Sequence, residues 1–170
     1  SHIIDAVIGT WQRVMLASPT ARATIVRWVT EWYETHIVFR YAGEDAPGEM
    51  PRYELGELPE GFVENLESQF VGTGMTAHFY ENEKGDVILF EYIYMQQGSL
   101  SGVNTENAYV ISVIVNDCEG LLVIPKEEDS NSMLMWLDPE HDLQFTLDAP
   151  LGQEDILHMA ESVHLVETMK

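Results

Sequence analysis

The sequence has few cysteines, few basic residues and no long hydrophobic run. Cys118 is the single cysteine among 170 residues, which excludes an internal disulfide and a cysteine-based zinc site. Lysine and arginine number 8 against 29 acidic residues, giving a formal net charge of -21. Because contact with phosphates needs clustered basic side chains, this charge argues against binding nucleic acid or docking on anionic lipid.

Sequence motifs of membrane spans and of enzymes are also missing. No apolar run reaches the roughly 18 residues that a membrane-spanning helix needs, and no signal peptide is visible. The sequence contains neither a G-x-S-x-G elbow nor S-x-x-K, and the segment "VGTGMT" lacks the lysine of a phosphate-binding loop. We therefore expect no enzymatic activity and no cofactor, in a chain whose 45% hydrophobic content is typical of a globular protein.

Helical periodicity dominates the first 35 residues. Residues 1–17 predict an amphipathic, juxtamembrane-like helix, since its apolar residues recur at helical spacing. Ser18 and Pro19 are typical of a helix start, so "SPTARATIVRWVTEWYET" predicts a second helix. Residues 18–170 are interpreted as one domain, because no linker or repeat divides them.

Two-residue alternation follows, and it predicts antiparallel strands. The clearest hairpin is "MTAHFYENEKGDVILFEYIYM", with a second in "AYVISVIVNDCEGLLVIPKE" and a third from "SMLMWLD" to "LQFTLD". Residues 153–166 predict a last helix that buries Ile156, Met159, Ala160 and Val163. The expected fold class is α+β: a curved antiparallel sheet of about 7–9 strands, with the N-terminal helices and the C-terminal helix on one face.

Aromatic residues of the strands give two interpretations. They could line a concave sheet face that binds a lipid or a peptide, or they could fill the core beneath the helices, which is the commoner role of such residues. The candidates for the binding face are Tyr80, Phe90, Tyr92, Tyr94 and Trp136.

Titratable residues give only weak candidate sites. Glu154, His158 and Glu161 share one helix face and could bind a metal ion, although a solvated polar face explains them more simply. His78 and Glu81 fall on opposite strand faces, so they make a poor acid–base pair. Glu91 lies between apolar neighbours and could have a raised pKa. Acidic neighbours are expected to raise the pKa of the Cys118 thiol.

Several stretches resemble one family of domains of unknown function, family 4367. They are "TARATIVRWVTEWYETHIVFRY", "YELGELPEGF", "VNDCEGLL", "MLMWLD", "LQFTLDAP" and "EDILHMAESV", spread over about residues 18 to 166. One departure is Asn116-Asp117, where Asn-Gly would be expected. The last stretches are interpreted as the closure of the domain, with Trp136 packed against Ile156, Ala160 or Val163.

The resemblance implies an extracytoplasmic domain of membrane-anchored Firmicutes proteins, in an anti-sigma-factor-like, regulatory context. The membrane segment would lie upstream of Ser1, and no catalytic residues are implied. We therefore expect an interaction or sensor domain with an unknown protein partner. The alternative is a carrier of a small apolar ligand in the sheet face.

Overall fold

The described part of the chain is dominated by strands. The computed structural model describes residues 28–32, 35–41, 50–95 and 100–166. Thirteen strands are present in these ranges: β1 (Trp28–Trp32), β2 (His36–Tyr41), β3 (Tyr53–Leu55), β4 (Val63–Glu64), β5 (Phe70–Val71), β6 (Met75–Glu81), β7 (Val87–Tyr94), β8 (Leu100–Asn104), β9 (Ala108–Val115), β10 (Cys118–Pro125), β11 (Ser132–Asp138), β12 (Leu143–Ala149) and β13 (Val163–Leu165). A short 3-10 helix spans Leu66–Ser68, and helix α1 spans Gln153–Glu161.

An eight-stranded antiparallel main sheet forms the centre of the fold. Its strands run in the order β4-β6-β7-β12-β11-β10-β9, and β5 pairs with β6 beside β4. The three predicted hairpins are confirmed as β6–β7, β9–β10 and β11–β12. Asn116 and Asp117 turn the second hairpin with φ of 47° and 67°, the left-handed conformation that a tight hairpin turn requires.

The two faces of the main sheet are covered by different elements. On one face, here called the helix face, α1 packs over a core that includes Phe90, Leu134, Trp136 and Phe145. On the other, Ile37 and Phe39 of β2 belong to a second core with residues of β10 and β11. Strand β2 lies at the centre of a three-stranded sheet, β1-β2-β8. The main sheet is therefore buried on both faces along part of its width.

A two-stranded ribbon of β3 and β13 lies on the helix face beside α1. The ring of Tyr53 in β3 stands edge-on to Tyr92 and Phe145, with centroids 5.3 and 5.1 Å apart. The Tyr53 backbone N–H donates to the Tyr92 hydroxyl at 3.1 Å. This hydrogen bond joins the ribbon to the main sheet.

The second predicted helix is wrong where the structure describes it. Residues Trp28–Trp32 form β1, which pairs with β2 from Trp28–Tyr41 to Trp32–Ile37. Aromatic and β-branched residues favour strands, and short apolar runs fit either period, so the pairing with β2 decides the conformation. In the described ranges, α1 is the only α-helix and none is long and apolar enough to cross a membrane. The predicted helix over residues 1–17 lies outside them.

The last helix is confirmed but is shorter than predicted. It starts at Gln153, with Glu154 and Asp155 in its first turn, and buries Ile156, Met159 and Ala160. It ends at Glu161 because the chain then enters β13, which pairs with β3. Ser162 fixes this junction: its carbonyl accepts from Gly56 N–H at 3.0 Å, and its hydroxyl donates to the Met159 carbonyl.

Candidate functional site

A cleft of about 730 Å³ opens on the helix face between the main sheet and the ribbon. Its floor is the outer part of the sheet, β6 and β7, and its walls are the ribbon and the edge near β5. The lining residues are Met50, Pro51, Arg52, Gln69, Val71, Thr76, His78, Tyr92, Leu165 and Val166. We call this space the main cleft.

His78 is a buried titratable residue that lines the main cleft. It projects from β6, is 2% exposed, and places Nδ1 2.6 Å from Oε1 of Glu64. Its other nitrogen, Nε2, is buried and has no hydrogen-bond partner among the described residues. Most buried side-chain nitrogens in proteins have a partner, so this atom calls for an explanation.

Aromatic rings hold the imidazole of His78 in place. Phe90 is stacked at 6.0 Å between centroids with an interplanar angle of 16°, and Tyr80 is stacked at 6.5 Å. Tyr92 lies 6.3 Å away on the next strand. Alternation along β6 and β7 places all of these side chains on the helix face. The ring is therefore restrained by packing as well as by Glu64.

Glu64 reaches His78 because β4 pairs with the outer edge of β6. Glu64 lies opposite Tyr80 in this pairing, and the next residue, Asn65, donates its N–H to the Phe79 carbonyl at 2.8 Å. The Asn65 side chain then accepts from the N–H groups of Glu67 and Ser68 and starts the 3-10 helix. The Glu64 side chain remains 29% exposed, so its carboxylate keeps contact with water.

Two phenols near the main cleft, those of Tyr80 and Tyr53, are held in the neutral form. Burial, and secondly the charge of Glu64, raise the pKa of Tyr80 far above its usual value. Burial, followed by Asp138, raises the pKa of Tyr53 to about 12. Because desolvation disfavours the phenolate, these side chains serve the site as neutral aromatic surfaces with hydroxyl groups.

Charged groups of the main cleft lie at its rim. The Arg52 guanidinium is 2.8 Å from the Glu54 carboxylate, and the two side chains are 60% and 40% exposed. Deeper in the cleft, the Thr76 hydroxyl donates to the Met50 sulfur at 3.4 Å. Among the described residues, the arrangement combines apolar walls with a buried nitrogen that has no hydrogen-bond partner, Nε2 of His78, which suits binding through a directed polar contact.

The aromatic candidates are all buried, and one of them borders the cleft. Tyr80, Phe90, Tyr92 and Tyr94 are 6%, 0%, 1% and 6% exposed and belong to the core of the helix face. Tyr92 also lines the main cleft. Trp136 lies in the same core as Ile156 and Ala160, and Val163 packs against it. Trp136 therefore belongs to the core that α1 helps to cover.

The metal candidates are exposed on α1 and are not drawn together. His158 Nε2 instead lies 2.7 Å from Oε2 of Glu57, beside a small cleft of about 290 Å³. Glu154 and Glu161 are exposed. Within the ranges that the structure describes, no three His, Cys, Asp or Glu side chains form a group that could hold a metal ion. The polar face of α1 is solvated.

The other titratable candidates, Glu91 and Cys118, both have raised pKa values. Burial raises the pKa of Glu91, which lies opposite Ala77 and Thr146 on neighbouring strands. Burial, followed by Asp138 and Asp117, raises the pKa of the Cys118 thiol to about 12. Both directions agree with the sequence-based expectation, although the burial of Cys118 was not part of it.

The pairing of His78 with Glu64 was missed from the sequence. Strand alternation correctly separated His78 from Glu81, which accepts instead from Asn65. Glu64, however, lies in a two-residue strand that carries no alternation of its own. The only local signal was a histidine among aromatic residues on a strand. This pattern is as typical of a histidine packed in a core as of one in a binding site.

Comparison with known proteins identifies the family. No curated protein and no solved structure matches the chain. The sequence model of one family matches residues 52–163, from the start of the ribbon to the end of α1, and so includes every strand of the main sheet. The stretch "TARATIVRWVTEWYETHIVFRY" precedes this match. The chain belongs to the family described as Domain of unknown function (DUF4367).

Proposed function

We propose that this protein is a non-catalytic sensor domain that binds a small, largely apolar ligand in the main cleft. The observation that carries the proposal is the cleft of about 730 Å³ with the buried, unpartnered Nε2 of His78. Ligand sites in proteins commonly enclose about 300–1,000 Å³ and combine apolar walls with a few placed polar groups. The main cleft fits both descriptions.

A binding role fits the polar groups of the main cleft better than a catalytic one. Catalysis by a histidine–carboxylate pair needs a nucleophile or a reacting proton within hydrogen-bond reach. Among the described residues, the two hydroxyl groups that line the cleft each have a hydrogen-bond partner within the protein. Thr76 donates to the Met50 sulfur, and the Tyr92 hydroxyl accepts from Tyr53 N–H. These contacts support a role for both hydroxyls in fixing the walls.

The cellular setting is also a proposal, and it rests on the family resemblance. We place the domain on the extracytoplasmic face of the cell membrane, as part of a membrane-anchored bacterial protein with a regulatory, anti-sigma-like role. The acidic surface, with a net charge of -21, supports a domain that stays clear of anionic lipid and of nucleic acid. Accessibility of the domain to a membrane-impermeant label on intact cells tests this setting, and labelling only after lysis would refute it.

The ligand proposal is tested by blocking the main cleft. Leu165 lines it and is 53% exposed, so Leu165→Trp places an indole at the cleft without disturbing the core. Leu58 lines the small cleft and is 38% exposed, so Leu58→Trp is the matched control. Native mass spectrometry of protein purified from cells, together with a fragment screen by NMR, measures binding.

We expect wild-type protein and Leu58→Trp to bind the same molecules and Leu165→Trp to lose them. Equal binding by all three proteins would place the ligand elsewhere. The absence of any bound molecule and of any fragment hit in the main cleft would refute the ligand-binding function.

A protein partner is the second candidate, and an exposed apolar edge favours it. Val63, Leu66, Phe70 and Val71 on the β4–β5 side of the main sheet are 53–70% exposed, although large apolar side chains usually avoid water when they cluster. A photo-crosslinking residue at Leu66 should capture the partner in intact cells, whereas one at the exposed Ser112 in β9, at the opposite edge of the main sheet, should not. Equal crosslinking at both positions would count against this edge.

A further inference from the structure

We infer that the ligand of the main cleft presents a hydrogen-bond donor, a hydroxyl or an amine, to Nε2 of His78, with its apolar body along the cleft walls. This inference rests on the proposed ligand-binding function and specifies the chemical class of the ligand. It follows from the tautomer of His78, from the polar groups around it and from the charge of the site.

The tautomer of His78 is set by Glu64. A carboxylate can only accept a hydrogen bond, so the proton in the 2.6 Å contact lies on Nδ1. In a neutral imidazole with Nδ1 protonated, Nε2 carries a lone pair and is an acceptor. Glu64 is thus a positioning residue, and its place is fixed by the pairing of β4 with β6.

Within the described ranges, no group donates a hydrogen bond to this acceptor. The rings of Phe90 and Tyr80 lie 6.0 and 6.5 Å from the imidazole between centroids, and neither donates to Nε2. The Thr76 hydroxyl donates to the Met50 sulfur. The Arg52 guanidinium pairs with Glu54 at the rim. A buried acceptor without a partner destabilises the folded protein, and a donor on the ligand would remove that penalty.

The charge of the site selects against acids. A carboxylate on the ligand would face the Nε2 lone pair and lie near the Glu64 carboxylate, in a chain of net charge -21. Arg52, the cation among the described residues that line the cleft, is already paired with Glu54 and is 60% exposed. Neutral alcohols and protonated amines meet no such repulsion, so they form the preferred class.

The experiment compares four probes that share an apolar body: phenylbutanol, phenylbutylamine, phenylbutyrate and butylbenzene. Calorimetry or NMR titration measures their affinities for the full chain and for His78→Phe. Phenylalanine keeps an aromatic ring among Phe90, Tyr80 and Tyr92 but removes both nitrogens. A neutral hydrogen bond contributes enough to tighten binding by about threefold to tenfold.

We expect wild-type protein to bind phenylbutanol about threefold to tenfold more tightly than butylbenzene. Phenylbutylamine, whose protonated amine donates a charge-assisted hydrogen bond, should bind at least as tightly as phenylbutanol, and phenylbutyrate should bind most weakly. In His78→Phe this preference should vanish while butylbenzene still binds. The imidazole ¹⁵N NMR signals of wild-type His78 give an independent readout. Nδ1 should be protonated and Nε2 bare, and the Nε2 signal should shift when phenylbutanol binds.

The outcomes separate this inference from the proposed function. Equal affinity for all four probes would refute the donor requirement and leave ligand binding intact. Preference for phenylbutyrate, or an Nε2 that is protonated in the free protein, would also overturn it. No binding of any probe, with no ligand retained from cells, would refute both. If His78→Phe does not fold, the ¹⁵N measurement on wild-type protein decides alone.

Discussion

Truncation of Trp136 tests the core of the helix face. The indole is 3% exposed and is stacked on Phe145, with centroids 5.1 Å apart and an interplanar angle of 12°. A buried tryptophan removes about 200 Å² from water, which at about 25 cal/mol per Å² is about 5 kcal/mol. Residual burial in the unfolded chain lowers this figure, so we expect Trp136→Ala to destabilise the protein by about 3–5 kcal/mol.

The strand opposite Trp136 explains why the cavity would persist. Gly120 is its cross-strand partner and offers no side chain that could move into the space. A Cβ at this position would lie 2.6 Å from the Met135 carbonyl oxygen, so the two backbones already approach closely. Since Gly120 has no side chain to fill the space, the loss should fall in the upper part of the range.

Urea unfolding followed by far-UV circular dichroism measures this loss without relying on tryptophan fluorescence. Tyr109→Ala is the control, because Tyr109 is 60% exposed and its ring forms a cation–π pair at 5.0 Å with the exposed Lys126. Its loss should stay below about 1 kcal/mol. A loss below about 1 kcal/mol for Trp136→Ala would refute the packing described for the helix face.

Three further predictions test local features of the structure. Asp117→Gly should stabilise the protein by about 0.5–1 kcal/mol, because glycine adopts the left-handed conformation of this turn position without strain. Asn116→Gly should stabilise it less, because this change also removes the side-chain hydrogen bond from Asn116 to the end of α1. Equal stabilisation by the two changes in urea unfolding would contradict this. Cys118, with a thiol pKa raised to about 12, should react with iodoacetamide at pH 8 more than about a hundredfold more slowly than free cysteine, and rapid alkylation would show that it is ionised. Burial raises the pKa of Glu91 in the folded state, so its charged form opposes folding and stability should fall as pH rises from about 4.5 towards neutrality. Glu91→Gln should raise the melting temperature at pH 7 but not at pH 4, while the exposed Glu83→Gln should change neither, and an equal gain at both pH values would exclude the charge as the cause.

Local patterns predicted the hairpins because all of their information lies within about 20 residues. In β6 and β7, the alternation of apolar residues and the turn residues between the strands predict the same hairpin. The two strands pair from Met75–Ile93 to Glu81–Val87. The same local reasoning failed at β1, where aromatic residues fit a helix and a strand equally well. There the partner strand β2 decides the structure.

Contacts distant in sequence could not be predicted from local patterns. The pairing of β7 with β12 brings Phe90 opposite Leu147, and no turn connects these strands directly. The main cleft depends on the same kind of contact, since Leu165 and Met50 face His78 only after the ribbon folds onto the sheet. Sequence patterns therefore identified the aromatic face but neither the cleft nor the carboxylate that orients its histidine.

The attachment of the ribbon has a consequence for the dynamics of the protein. One wall of the main cleft is a ribbon of two three-residue strands, fastened to the sheet at Tyr92 and to the helix end at Ser162. Because few hydrogen bonds hold the ribbon, it should open locally at a free energy well below that of global unfolding. Amide hydrogens of β3 and β13 should therefore exchange faster than those of β11 and β12. A ligand that contacts both the ribbon and the main sheet should slow the exchange of the β3 and β13 amides most.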